Sequence, residues 1–113
     1  MQRDEAYLLD MLLSARDARN VIEQLTLEQF RSSRTHQLAS FKALETIGEA
    51  AARISDTFRA EHPEISWRAI IGMRNRLIHA YFKVDLETVW TTIQDDLPVL
   101  IDRLQLLVPP EEQ

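Results

Sequence analysis

The chain has 113 residues, 45% apolar and 27% charged, with a net charge of −5, which suits one domain over residues 1–113 with one core and excludes disorder. The lack of cysteine excludes a disulfide framework, a thiolate metal site and a cysteine nucleophile, and two glycines, Gly48 and Gly72, are too few for a phosphate-cradling or dinucleotide loop. No apolar run approaches the ~18 residues of a membrane span, and the acidic start Met1-Gln2-Arg3-Asp4-Glu5 does not resemble a signal peptide, so a cytoplasmic location is expected.

The pattern is helical throughout. Leu8, Met11, Leu12, Ala15, Ala18, Ile22 and Leu25 predict a helix from about Asp4 to Leu25. Thr26, with Gln29 three residues on, predicts a capped turn over Leu27–Phe30, and Ser32 to Thr35 reads as a loop. Leu38, Phe41, Leu44, Ile47, Ala51, Ile54 and Phe58 predict one long second helix, stopped by His62-Pro63. Gly48 in its middle costs about 1 kcal/mol against alanine, which implies close approach of another helix. Ser66 opens a third helix carrying Trp67, Ile70, Ile71, Leu77 and Ile78 on its apolar face. Tyr81-Phe82-Lys83-Val84 is aromatic and β-branched and is expected to be non-helical. Asp85 caps a fourth helix running to Val108, which Pro98 should kink or split by crowding the Gln94 carbonyl. Four main helices with short connections predict an all-α antiparallel bundle of four to five helices.

Charge is unevenly placed. Ile65 to Val84 holds Arg68, Arg74, Arg76 and Lys83, one histidine and no acid, whereas the rest of the chain holds 9 basic and 18 acidic residues. At about 100° per residue, Arg68, Gly72, Asn75, Arg76 and His79 share a stripe, which Lys83 would extend if the helix continued. Such a stripe is commonly a solvated face. Here it combines a proton-transfer group with phosphate-binding arginines. Arg74 falls near the centre of the apolar face, where it needs an anion. Glu45 or Glu49 of the second helix is one candidate partner, and a phosphate held above it is the other. His36, His62 and His79 have no metal-like spacing, so neither metal nor cofactor is expected. Asp95-Asp96 reads as solvated surface, and Trp67 and Trp90 as core.

The run Ile70 to Phe82, with Val84-Asp85-Leu86 and Trp90 after it and Ile47-Gly48-Glu49-Ala50 before it, closely resembles the HepT-like branch of the HEPN superfamily. The motif is an arginine, four residues, a histidine, one residue and a tyrosine, here Arg74, His79 and Tyr81. The resemblance covers essentially the whole chain. It implies a HEPN-like symmetric homodimer acting as the toxin of a type II toxin–antitoxin pair, a ribonuclease that cleaves RNA without a metal. It also implies a partner resembling a minimal nucleotidyltransferase (MNT), the antitoxin, which inactivates the toxin by adenylylating Tyr81. A HEPN module that binds a nucleotide or its partner without cutting RNA is the alternative.

Under this resemblance the 2′-hydroxyl of RNA is the nucleophile, His79 transfers the proton, Arg74 neutralises the transition state and Asn75 orients the His79 ring. Arg68, Arg76 and Lys83 are the candidate RNA-binding residues. On a continuous helix Arg74 and His79 point about 140° apart. Either the helix ends near Ile78, or the arginine bends round it, or two copies meet at a two-fold interface that includes the polar stripe.

Overall fold

The computed structural model describes residues 3–80 and 83–113, so Tyr81 and Phe82, two members of the expected non-helical stretch, lie outside the described residues. Among the described residues there are helices and no strand. The chain runs through α1 (Arg3–Ile22), α2 (Leu27–Ser32), α3 (Arg34–Arg53), α4 (Asp56–Glu61), α5 (Trp67–Ala80), α6 (Leu86–Thr91) and α7 (Leu97–Leu107). A π-helical turn, Thr92–Asp96, joins the last two. No described helix is long and apolar enough to cross a membrane.

The central helix is α1. Its Leu8, Met11, Leu12, Ala15, Ala18 and Ile22 are all buried at helical spacing and pack against α3 and α7, while α5 packs on the far side of α3. The expected first helix stops at Ile22 rather than Leu25. Thr26 then opens α2 through a reciprocal capping box, its hydroxyl accepting from the Gln29 N–H and its N–H donating to the Gln29 side chain. The expected loop from Ser32 to Thr35 shrinks to one residue. Ser33 closes α2 by donating its N–H to the Phe30 carbonyl, and caps α3 by accepting from the His36 N–H.

The second long helix is shorter than its apolar spacing implies. It ends at Arg53 and restarts as α4, because the Asp4 carboxylate accepts from the Ser55 N–H at 2.9 Å and from its hydroxyl at 2.7 Å. That hydroxyl in turn accepts from the Phe58 N–H and caps α4. The same contact joins the start of α1 to the end of α3, so the two helices run antiparallel. α4 is then fixed to the start of α5: the Phe58 ring lies edge-on to Trp67 at 6.4 Å, and the Trp67 indole donates to the His62 carbonyl.

Pro98 splits the fourth helix. The π turn places the Leu97 N–H on the Thr92 carbonyl, five residues back, so Pro98 enters the first turn of α7, where a missing N–H costs least. Arg19 of α1 donates to the Ile93 carbonyl and to the Gln94 side chain, tying α1 to this turn. Asp85 caps α6 as expected, accepting from the Glu87 N–H. Trp67 is core, whereas Trp90 is only partly buried against Phe30. Leu38 and Ile78, expected on apolar faces, are 45% and 40% exposed.

Candidate functional site on α5

α5 forms because its buried positions, Trp67, Met73 and Leu77, with half-buried Ile70, follow helical spacing against α3. The helix is continuous through His79 to Ala80, so no break between Arg74 and His79 relieves the angle between them. The opposite face carries Arg68, Asn75, Arg76 and His79, all exposed. Arg68, Gly72, Asn75 and His79 lie one above another at steps of four, three and four, a line about 16 Å long.

Arg74 directs its stem into the contact between α5 and α3, and the residue as a whole is half-buried. α5 comes close to α3 at Gly48, where an added Cβ would lie 2.1 Å from the Arg74 Cβ and 3.1 Å from the Ile70 carbonyl oxygen. The glycine expected to permit a close helix contact is therefore the seat of this arginine's stem. The Arg74 Nε is buried with no hydrogen-bond partner, and Nη1 donates to the Asn75 side-chain Oδ1 at 3.0 Å.

Two expectations are corrected here. Arg74 forms no ion pair with Glu45 or Glu49 among the described residues. All three side chains are only half-buried, so each charge keeps water and gains little by desolvating to pair. Asn75 bonds Arg74 rather than His79. His79 makes no hydrogen bond to another described residue and stands in the last turn of α5, turned about 140° from Arg74. A single chain thus places a half-buried arginine and an exposed histidine on different sides of one helix.

Arg76 is exposed, with Nη2 lying 3.8 Å from the Met73 sulfur, and Lys83 is exposed beyond the end of α5. Tyr81, the expected modification site, lies outside the described residues. Sequence reasoning missed Arg59 and Ala60 of α4, which face Arg68, Gly72 and Asn75 across a shallow groove. The position of α4 depends on the Asp4–Ser55 contact, 51 residues apart in sequence, and no local pattern carries it. Among the described residues no cluster of three or more histidines or carboxylates is arranged to hold a metal.

Comparison with known proteins follows the same residues. Residues 11–107 match the family model described as ribonuclease HepT-like. A protein of Thermococcus cleftensis named a probable ribonuclease HepT is 40% identical over 102 residues, covering 87% of this chain and 93% of that protein. A candidate RNase of Methanocaldococcus jannaschii is 32% identical, with 91% and 94% covered. A candidate RNase of Caldanaerobacter subterraneus subsp. tengcongensis is 30% identical, with 99% and 100% covered. No solved structure matches the chain. The matched span contains α5 entire, with Arg74, Asn75 and His79, and the chain belongs to the HepT-like ribonuclease family.

Proposed function

We propose that this chain is a metal-independent endoribonuclease, the toxin of a toxin–antitoxin pair, acting as a symmetric homodimer. The observation that carries the reading is that α5 holds no acid, that its exposed face carries Arg68, Asn75, Arg76 and His79, and that Arg74 reaches Asn75 through its guanidinium. The substrate's 2′-hydroxyl attacks the adjacent phosphorus as its proton leaves to a base, and the bond to the 5′-oxygen breaks as that oxygen takes up a proton. His79 serves this proton transfer. Arg74 neutralises charge developing on the phosphoryl oxygens, with Asn75 holding its guanidinium in place. Arg68, Arg76 and Lys83 hold flanking phosphates.

The separation of Arg74 from His79 round α5 is what a two-fold assembly resolves. A symmetric interface lays the same patch against itself, so the arginine of one copy can face the histidine of the other across a shared cleft. The antitoxin is a nucleotidyltransferase of the minimal type. In its reaction the Tyr81 hydroxyl attacks the α-phosphorus of ATP and pyrophosphate leaves. The adenylate then adds a charged, bulky group two residues from His79 and competes with RNA for the arginines.

The test is RNA cleavage by the wild type and by His79→Ala, each with and without EDTA. Cleavage that survives EDTA and disappears in His79→Ala supports the reading. Full activity in the variant rejects His79, and loss in EDTA rejects metal independence. RNA or nucleotide binding with no cleavage by the wild type identifies the non-catalytic module instead. Incubation with the partner and ATP should add one adenylate mass, absent in Tyr81→Phe. Inhibition without modification would assign the partner a steric role.

A further inference from the structure

Gly72 has no packing reason to be glycine. Unlike Gly48, whose missing Cβ is required by Arg74, Gly72 would meet nothing nearer than the Arg76 Nη1 at 4.0 Å if a Cβ were added. A glycine in mid-helix is unfavourable relative to alanine, so its use here points outside the chain's own packing. Gly72 lines a groove of about 550 Å³ between α4 and α5. Ala60 and Ile71 give that groove apolar walls, and Arg59, Arg68 and Asn75 give it polar edges. The groove is rigid in its construction, because Phe58 and the Trp67 indole bond hold α4 against α5.

The charges suit an anion that is also partly apolar. Arg68 is exposed and makes no ion pair with a described residue. Arg59 pairs with Asp56, whose side chain is 97% exposed, and a pair so open to water is weak and easily exchanged. Asn75 stands one helical turn from His79, about 6 Å along the axis, so the groove opens beside the reacting position.

We propose that the α4/α5 groove is a nucleotide subsite for single-stranded RNA, seating the nucleotide that flanks the scissile phosphate. Its base lies over Gly72 between Ala60 and Ile71, and Arg68, with Arg59 behind it, holds the next phosphate. The bare backbone at Gly72 lets the base reach the helix surface, which any side chain would prevent. This assignment rests on the ribonuclease reading above and specifies how that site extends along its substrate.

The test compares non-cleavable 2′-O-methyl RNA, a dinucleotide and a tetranucleotide, binding to the wild type, Gly72→Ala, Gly72→Leu and Arg68→Gln. The wild type should bind the tetranucleotide more tightly than the dinucleotide. Arg68→Gln should erase that gain, weakening the tetranucleotide roughly tenfold and the dinucleotide, which lacks the next phosphate, by much less, whereas Gly72→Leu should weaken both, because one nucleotide of the dinucleotide already occupies the subsite. Arg68→Gln should also reduce the slope of log affinity against log salt by about 0.7, the value for one lost single-strand phosphate contact. Gly72→Ala should melt no lower than the wild type, which shows that the glycine is not structural. Equal tetranucleotide binding by all four proteins overturns the subsite. So does a change of sedimenting species in Gly72→Leu, which would place a second copy in the groove. Wild-type cleavage that depends on His79 keeps the parent reading intact in either case, whereas a wild type that neither binds nor cleaves RNA removes both.

Discussion

The Cβ added by Gly48→Ala would have to displace the Arg74 stem, since the two carbons would stand 2.1 Å apart. Forced overpacking of this kind costs about 1–3 kcal/mol and exceeds the gain in helix propensity, about 1 kcal/mol. The variant should melt below the wild type and cleave RNA more slowly, because α5 and its arginine move together. Melting at or above the wild type would show that the two helices separate without strain. Arg74→Ala should behave differently. With no carboxylate left stranded, and with an unpartnered buried Nε removed, it should melt within about 1 kcal/mol of the wild type yet lose cleavage. A loss of several kcal/mol would mean that Arg74 does hold an acid. The contrast marks what the residues disclose. Gly48 is legible because a mid-helix glycine is unfavourable unless something occupies the place of its side chain. The pairing of Arg74 is not, because periodicity places the stem on a face but does not say where a long, half-buried side chain carries its charge.

At the scale of elements, the long second helix shows where pattern reading fails. Ile54 and Phe58 continue the apolar spacing of α3, yet the backbone turns between them because Asp4, 51 residues earlier, takes both donors of Ser55. The Pro98 break, by contrast, is legible, since its cause is local: proline has no N–H and crowds the preceding turn. The Asp4 contact also gives a pH dependence. The Ser55 hydroxyl, and then the Ser55 N–H, hold the Asp4 carboxyl below the ordinary aspartate value. The unfolded chain binds this proton near pH 4, whereas the folded chain binds it only at lower pH. The stabilisation is therefore fully present above about pH 4 and is lost as the pH falls through the folded value. Asp4→Asn should melt lower than the wild type at neutral pH, and the difference should narrow in acid. A constant difference across the acid range would show that this carboxylate does not sense the fold.

For the proposed homodimer the question is which copy supplies which group. α5 is continuous past His79, so the angle between Arg74 and His79 cannot be relieved by ending the helix, and Ile78 between them stands 40% exposed. An exposed isoleucine beside the motif would suit burial against a second copy in the proposed homodimer, whose two-fold axis would bring the motifs together. Mixed dimers distinguish the arrangements. Arg74→Ala and His79→Ala should each be inactive alone. If every site draws its arginine from one copy and its histidine from the other, a dimer containing one of each variant retains one intact site and one doubly damaged site. Random exchange places half of the dimers in that mixed state, so activity should return to about a quarter of the wild-type value. Sites built within a single protomer give no recovery, because each copy then carries its own defect. Ile78→Glu should shift the protein towards monomer in sedimentation and abolish the recovery in the same mixture. Recovery that persists in a sedimenting monomer would mean that Arg74 and His79 act without meeting.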